Sequence, residues 1–226
     1  MTHADAITIQ GTIPRWMARP VRLLVLVPVL LLSGCFDVDV ELTFTRDEQV
    51  QLRSEVRMPK SLFLLMMDDE DSDLGKLCEG GSAVIKADTV SCVQEKTAPL
   101  SEALAGRLFA DEGADSQMHI RVEKAGDGVV RVLVDIAALL AEAGQEAGNE
   151  GDRSLAALMV AGHGITFRIA GEKIIESNGR IAQDGRSASF TLPLSALVDP
   201  AARKSLPETF TTTVRYRPPC RLWIFC

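Results

Sequence analysis

The chain has 226 residues, with 24 Lys and Arg against 31 Asp and Glu, a formal net charge of −7 and 46% hydrophobic residues. That length suits a single domain with a real core, and the composition excludes disordered, collagen-like and coiled-coil chains. An acidic chain without a basic tract also excludes nucleic acid as a partner.

The first 35 residues are richer in apolar side chains than the chain as a whole. Arg15, Arg19 and Arg22 precede the uncharged run Leu23–Leu32, and Ser33-Gly34 leads into Cys35. This is the layout of a secretory signal: basic flank, short apolar stretch, small residues at the cut. Ten residues span about 15 Å as a helix, too short for the roughly 30 Å hydrocarbon core. A short core helix fits poorly, because Pro28 interrupts it and arginines adjoin it. Leu32-Ser33-Gly34-Cys35 resembles the lipobox of bacterial lipoproteins. That resemblance implies a diacylglyceryl group on the Cys35 thiol, cleavage before Cys35 and acylation of the new N-terminus. Two or three acyl chains hold a domain on a membrane where one would not. Residues 1–34 are thus expected to be a signal peptide and 35–226 a single extracytoplasmic domain, with Met1 and Met17 both open as the start. The mature part has 192 residues and, with three arginines and one aspartate gone, a net charge of −9. Anionic headgroups repel such a domain, so lipid must supply the anchor.

Four cysteines remain: Cys78, Cys92, Cys220 and Cys226. An even number outside the cytoplasm is expected to form disulfides, and proximity favours Cys78–Cys92 and Cys220–Cys226. Free buried thiols are one alternative. Zinc is the poorer one, since there is no Cys-x-x-Cys and His119 and His163 stand far apart.

Along the mature chain, Val38, Val40, Leu42 and Phe44 alternate with polar residues, and Val50, Leu52, Val56 and Met58 resume the alternation. Residues 37–58 therefore read as a hairpin. Pro59 opens a helix containing the apolar run Leu62–Met67, followed by the acidic run 68–73. A strand is expected at 89–96 and a helix at 101–110 with Leu104 and Leu108 on one face. A hairpin follows around Gly126-Asp127-Gly128. Asp135 caps a helix that Gly144 stops, and a second helix covers 154–161. Strands then fall at 165–169 and 174–176. Ser177-Asn178-Gly179 reads as a type I′ turn and Asp184-Gly185 as another turn. Strands at 187–192 and 209–216 flank a short helix at 194–198. Hairpins separated by short helices predict an α+β fold with a mostly antiparallel, partly barrel-like sheet.

The stretch from Gly34-Cys35-Phe36 through Asp37-Val38-Asp39-Val40-Glu41-Leu42-Thr43-Phe44 resembles the opening of the LppM-type lipoprotein domain, where the lipobox cysteine runs straight into an alternating strand. Ile165–Ile181 followed by Asp184–Leu192 is similar to that family's strand, glycine break, short strand, Ser-Asn-Gly and aromatic-bearing strand, with Phe190 in the aromatic place. The resemblance implies a partly barrel-like domain with a cavity, similar to lipid-binding folds, on the outer side of a membrane.

No catalytic group is expected. No Gly-x-Ser-x-Gly or Gly-rich phosphate loop is present, and His163 between Gly162 and Gly164 reads as a flexible junction. Asp69-x-Asp71-x-Asp73 fails the calcium pattern, because Leu74 and Gly80 stand where Gly and Glu are needed. No metal or cofactor is expected. Leu62, Phe63, Leu65, Met66 and Met67 could line the core, or form an adaptable wall against lipid. The expected function is a non-catalytic lipoprotein, anchored to the cell or outer membrane on its extracytoplasmic side, that binds lipid or glycolipid in an apolar cavity. The alternative is a structural or assembly lipoprotein that meets an envelope protein partner.

Overall fold

The structure is a computed structural model that describes residues 37–66, 78, 81–109, 119–146 and 162–217. The chain divides into two units, Met1–Gly34 and Cys35–Cys226, and every described residue belongs to the second.

The expected first hairpin forms from β1 (Asp37–Phe44) and β2 (Gln49–Pro59). Its turn holds Glu48 at φ 57°. Helix α1 (Lys60–Met66) follows Pro59 directly. Two strands come next, β3 (Ser82–Ile85) and β4 (Thr89–Pro99). β3 was not expected from sequence: its four residues are all exposed and carry no alternation. The helix expected at 101–110 is shorter, α2 (Leu100–Leu104), followed by a 3-10 turn at Arg107–Phe109. It turns Leu100, Ala103 and Leu108 inward and leaves Leu104 exposed, so Leu104 and Leu108 do not share a face.

The second hairpin is β5 (Ile120–Gly126) with β6 (Val129–Asp135). Asp135 caps α3 (Ile136–Glu146), its Oδ1 accepting from the Ala138 amide at 2.9 Å. This helix runs past Gly144, which does not stop it. The helix expected at 154–161 lies outside the described residues. The last part contains β7 (Gly164–Ala170), β8 (Lys173–Ser177), β9 (Arg180–Ile181) and β10 (Ser187–Pro193). Short helices α4 (Ser195–Val198) and α5 (Pro200–Arg203) then lead to β11 (Thr209–Arg215).

The strands form two sheets. A seven-stranded sheet has the order β3-β4-β2-β1-β7-β10-β9, and a four-stranded sheet the order β5-β6-β11-β8. All pairings are antiparallel except β1 with β7. The α+β, mostly antiparallel, hairpin-built architecture is therefore as expected. Neither sheet closes into a barrel.

One core joins the two sheets. Val40, Leu42 and Phe44 of β1, Phe167 and Ile169 of β7 and Leu192 of β10 belong to the same buried cluster as Val130, Val132 and Val134 of β6 and Phe210 and Val214 of β11. Period two drives this arrangement: one face of each strand turns inward and the other meets water. Ile136 of α3 and Ala196 of α4 are fully buried in the same cluster.

The chain passes between the sheets on either side of β8, and each passage holds a glycine. A Cβ on Gly171 would lie 2.5 Å from Val214 Cγ2 and 3.1 Å from the Arg215 carbonyl. A Cβ on Gly179 would lie 2.6 Å from both Phe210 Cε2 and the Ser189 carbonyl. Asn178-Gly179 is accordingly not a type I′ hairpin turn. Neither residue has positive φ, and the strands it joins lie in different sheets. Asn178 instead clamps β11: its Nδ2 donates to the Thr209 carbonyl and its Oδ1 accepts from the Thr211 amide, both at 2.8 Å. The Asp184-Gly185 turn is as read. Gly185 has φ 66°, and Asp184 Oδ1 accepts from the Arg186 amide.

Candidate functional site

The seven-stranded sheet has an outer face that is charged rather than apolar. Its residues are the out-pointing half of the alternation: Asp37, Asp39 and Glu41 of β1, Arg53, Glu55 and Arg57 of β2, and Thr166 and Arg168 of β7. Register brings them into cross-strand rows. Glu41 stands between Arg53 and Arg168, and Arg53 pairs with Glu95 on the next strand. Arg53 bridges Glu55 at 3.2 Å and Glu95 at 3.5 Å. Arg57 meets Glu55 at 3.1 Å and also Asp39. Each of these exposed pairs contributes at most about 1 kcal/mol. Together they fix the pattern of charge on the face.

Two adjoining depressions mark this face. One, of about 220 Å³, is lined by residues including Glu41, Arg53, Glu55 and Arg168. The other, of about 570 Å³, is lined by residues including Asp37, His163, Thr191 and Ser195. Asp39, Arg57 and Thr166 line both, so the two form one groove. Its chemistry is that of carboxylates, guanidinium groups and hydroxyls. Thr166 and Thr191 face each other across β7 and β10 with their hydroxyls 3.1 Å apart.

One end of the groove is a structural knot. Asp37 Oδ1 lies 3.4 Å from His163 Nδ1 and accepts from the Gly164 amide at 3.3 Å. The His163 carbonyl accepts from the Leu194 amide at 2.8 Å. These contacts tie the starts of β1 and β7 to the end of β10. His163 is thus a fixed junction and not a flexible one; its side chain is 8% exposed. Sequence reasoning could not pair Asp37 with His163 across 126 positions, because only the parallel register of β1 and β7 joins them.

The residues singled out from sequence fall as follows. Cys78 and Cys92 form a disulfide, with Cα atoms 5.3 Å apart. Cys35, Cys220 and Cys226 lie outside the described residues, as do Met67 and the acidic run 68–73. Leu62, Phe63, Leu65 and Met66 all lie on α1. Phe63 is buried with Met58 and Val90 in a small cluster separate from the main core. Leu64, absent from the expected set, is 59% exposed. Among the described residues, no group of three or more His, Cys, Asp and Glu is placed to hold a metal ion. Among the same residues, no helix is long and apolar enough to cross a membrane.

At the far end of β1, Arg217 meets Asp127 at 2.8 Å and Glu48 at 3.3 Å. Burial, and then the charge of Glu48, push the neighbouring Tyr216 phenol above its ordinary range, and Arg217 opposes them only in part.

The fold and groove define a class: a two-sheet α+β domain with a buried apolar core and a charged outer face on its larger sheet. No protein-family profile matches the chain, and no curated protein does. Among solved structures, the chain is similar to the NMR structure of the folded domain of LppM from Mycobacterium tuberculosis. The two are 10% identical, with a TM-score of 0.44 over 81% of this chain and 91% of that one. Likeness at this level is too low to carry function or site residues across.

Proposed function

We propose that this chain is a lipid-anchored envelope lipoprotein whose folded domain works by binding rather than by catalysis. The observation that carries the reading is the passage from lipobox to fold: Leu32-Ser33-Gly34-Cys35 ends two residues before Asp37, where β1 begins. A cysteine so placed is the first residue of a mature chain that folds at once beyond its anchor. The Cys78–Cys92 disulfide agrees with an oxidising compartment outside the cytoplasm.

Of the two binding modes expected from sequence, the geometry favours the surface mode. Among the described residues, Val50, Val134, Ile136, Leu192 and Val214 are fully buried in one continuous core. The groove on the outer face offers fixed charges and hydroxyls to a polar partner, such as a protein segment or a sugar headgroup. Asp37 and His163 at its edge serve to join strands.

A photo-crosslinker at Thr166, in cells, tests the mode. One dominant protein or saccharide-bearing adduct supports the surface reading. If there is no adduct, and organic solvent extracts a co-purified lipid from the unmodified protein, the ligand sits inside the domain and the surface reading fails.

A further inference from the structure

We infer that the end of the large sheet where β1 begins docks shallowly on the bilayer that holds the anchor, inserting Leu64 and Ile85. The inference rests on the proposed lipid at Cys35 and goes beyond it by assigning the domain an orientation.

Register sets the geometry. Asp37, the first residue of β1, pairs with Arg57, so β2 continues past the start of β1 through Met58 and Pro59. Met58 pairs with Val90 and Pro59 with Thr89 on β4, and Ile85 of β3 pairs with Val90. Helix α1 starts at the next residue, and its Lys60 amide donates to the Asp88 carbonyl in the β3–β4 turn at 3.0 Å. The α1 helix, the β3–β4 turn and the start of β1 therefore share one end of the sheet. Cys35 is two residues from Asp37, a reach of at most about 7 Å. A lipidated Cys35 brings the bilayer surface to this end and to no other.

What this end exposes fits that surface. Of the six large apolar residues exposed among those described, three are here: Leu64 at 59%, Ile85 at 49% and Val84 at 42%. Ile85 shares a sheet face with its partner Val90, which is buried beside Phe63, so Ile85 and α1 border one small apolar cluster. Lys60 and Lys86 are exposed beside them, with stems long enough to lie along the apolar surface while their ammonium groups stay among headgroups. The mature charge of −9 and the acidic run 68–73 argue against attraction to anionic lipid. The apolar side chains therefore make the contact, and a zwitterionic surface suffices. With the anchor holding the domain at the membrane, even weak insertion fixes orientation, because the second contact is intramolecular.

Tryptophan quenching tests this. The full chain is processed in a bacterial host, purified with its lipid and placed in phosphatidylcholine vesicles with brominated acyl chains. Trp223→Phe removes the tryptophan that follows Cys35. Reporters are then introduced singly as Leu64→Trp and Ile85→Trp, both at exposed positions. Asp47→Trp is the control, in the β1–β2 turn about 25 Å away along the hairpin. Mass spectrometry reads Cys35 in each sample. Docking predicts blue-shifted emission and strong loss of intensity at positions 64 and 85, and no loss at 47. A lipidated Cys35 with unquenched emission at 64 and 85 overturns the docking and leaves the anchor standing. An unmodified Cys35 overturns both.

Discussion

Reducing the Cys78–Cys92 disulfide should weaken the domain by a calculable amount and loosen one strand before the rest. The bridge spans a sequence separation of 14 and so closes a loop of 15 residues. In the chain-entropy account such a loop restricts the unfolded state by about 3 kcal/mol. Cys78 is 2% exposed, so its thiol stays buried after reduction and the loss is mainly one of loop closure. For a domain of this size, about 3 kcal/mol corresponds to a fall in Tm of roughly 6–12 °C. The effect should be uneven. Within the loop, β3 is a four-residue edge strand whose residues are all exposed, and its pairing with β4 buries little. Such a strand is marginal without a covalent tie. Thermal melts with and without reductant give the magnitude, and hydrogen exchange gives the place: amides 82–85 should exchange fastest on reduction, while β6 and β11 keep their protection. A fall in stability below about 1 kcal/mol, or loosening that begins in β6, would refute the loop-closure reasoning.

Three further outcomes follow from the geometry. Tyr216 is the chain's single tyrosine, so tyrosinate absorbance reads it alone. Its folded pKa is raised by burial, then by Glu48. The protonated phenol's contribution to stability is therefore complete below the unfolded value of 10.0 and lost as pH rises through the higher folded value. Urea midpoints should fall above that pH in the wild type and fall less in Tyr216→Phe; equal slopes would contradict it. Gly179→Ala forces a methyl against Phe210 and Ser189 and should cost about 1–3 kcal/mol by denaturant unfolding. A neutral result would mean that the two sheets do not approach so closely there. Asp37→Ala removes the acceptor for the Gly164 amide and the partner of His163. It should cost about 1 kcal/mol in a urea titration, with faster exchange at amides 164–166; wild-type values for both would remove the knot from the account.

Period-two alternation made most of the sheet legible in the sequence. β1, β2, β5, β6, β7, β10 and β11 each turn one apolar face to the core, and each could be read locally. β3 could not, because an exposed edge strand has no buried face to imprint a pattern. Ser177-Asn178-Gly179 was legible as a bend but not as a passage between sheets. A local motif reports φ preferences, whereas Gly179 is required by the approach of Phe210 from a strand 30 residues later. The groove was the least legible part. Its charges read singly as a solvated strand face, and only register places Glu41 between Arg53 and Arg168 or Asp37 beside His163. The cysteine spacing did carry the Cys78–Cys92 bridge, because the hairpin of β3 and β4 brings near neighbours in sequence side by side.

Cys35 is proposed above as the lipid-bearing first residue of the mature chain. Intact-mass and peptide mass spectrometry of the protein purified from the membrane fraction tests it most directly. The account predicts an N-terminal peptide that begins at Cys35 and carries diacylglyceryl on sulfur. Cys35→Ser should abolish that mass and release the protein from the membrane. An unmodified Cys35 within an uncleaved chain that remains in the membrane fraction would contradict the account.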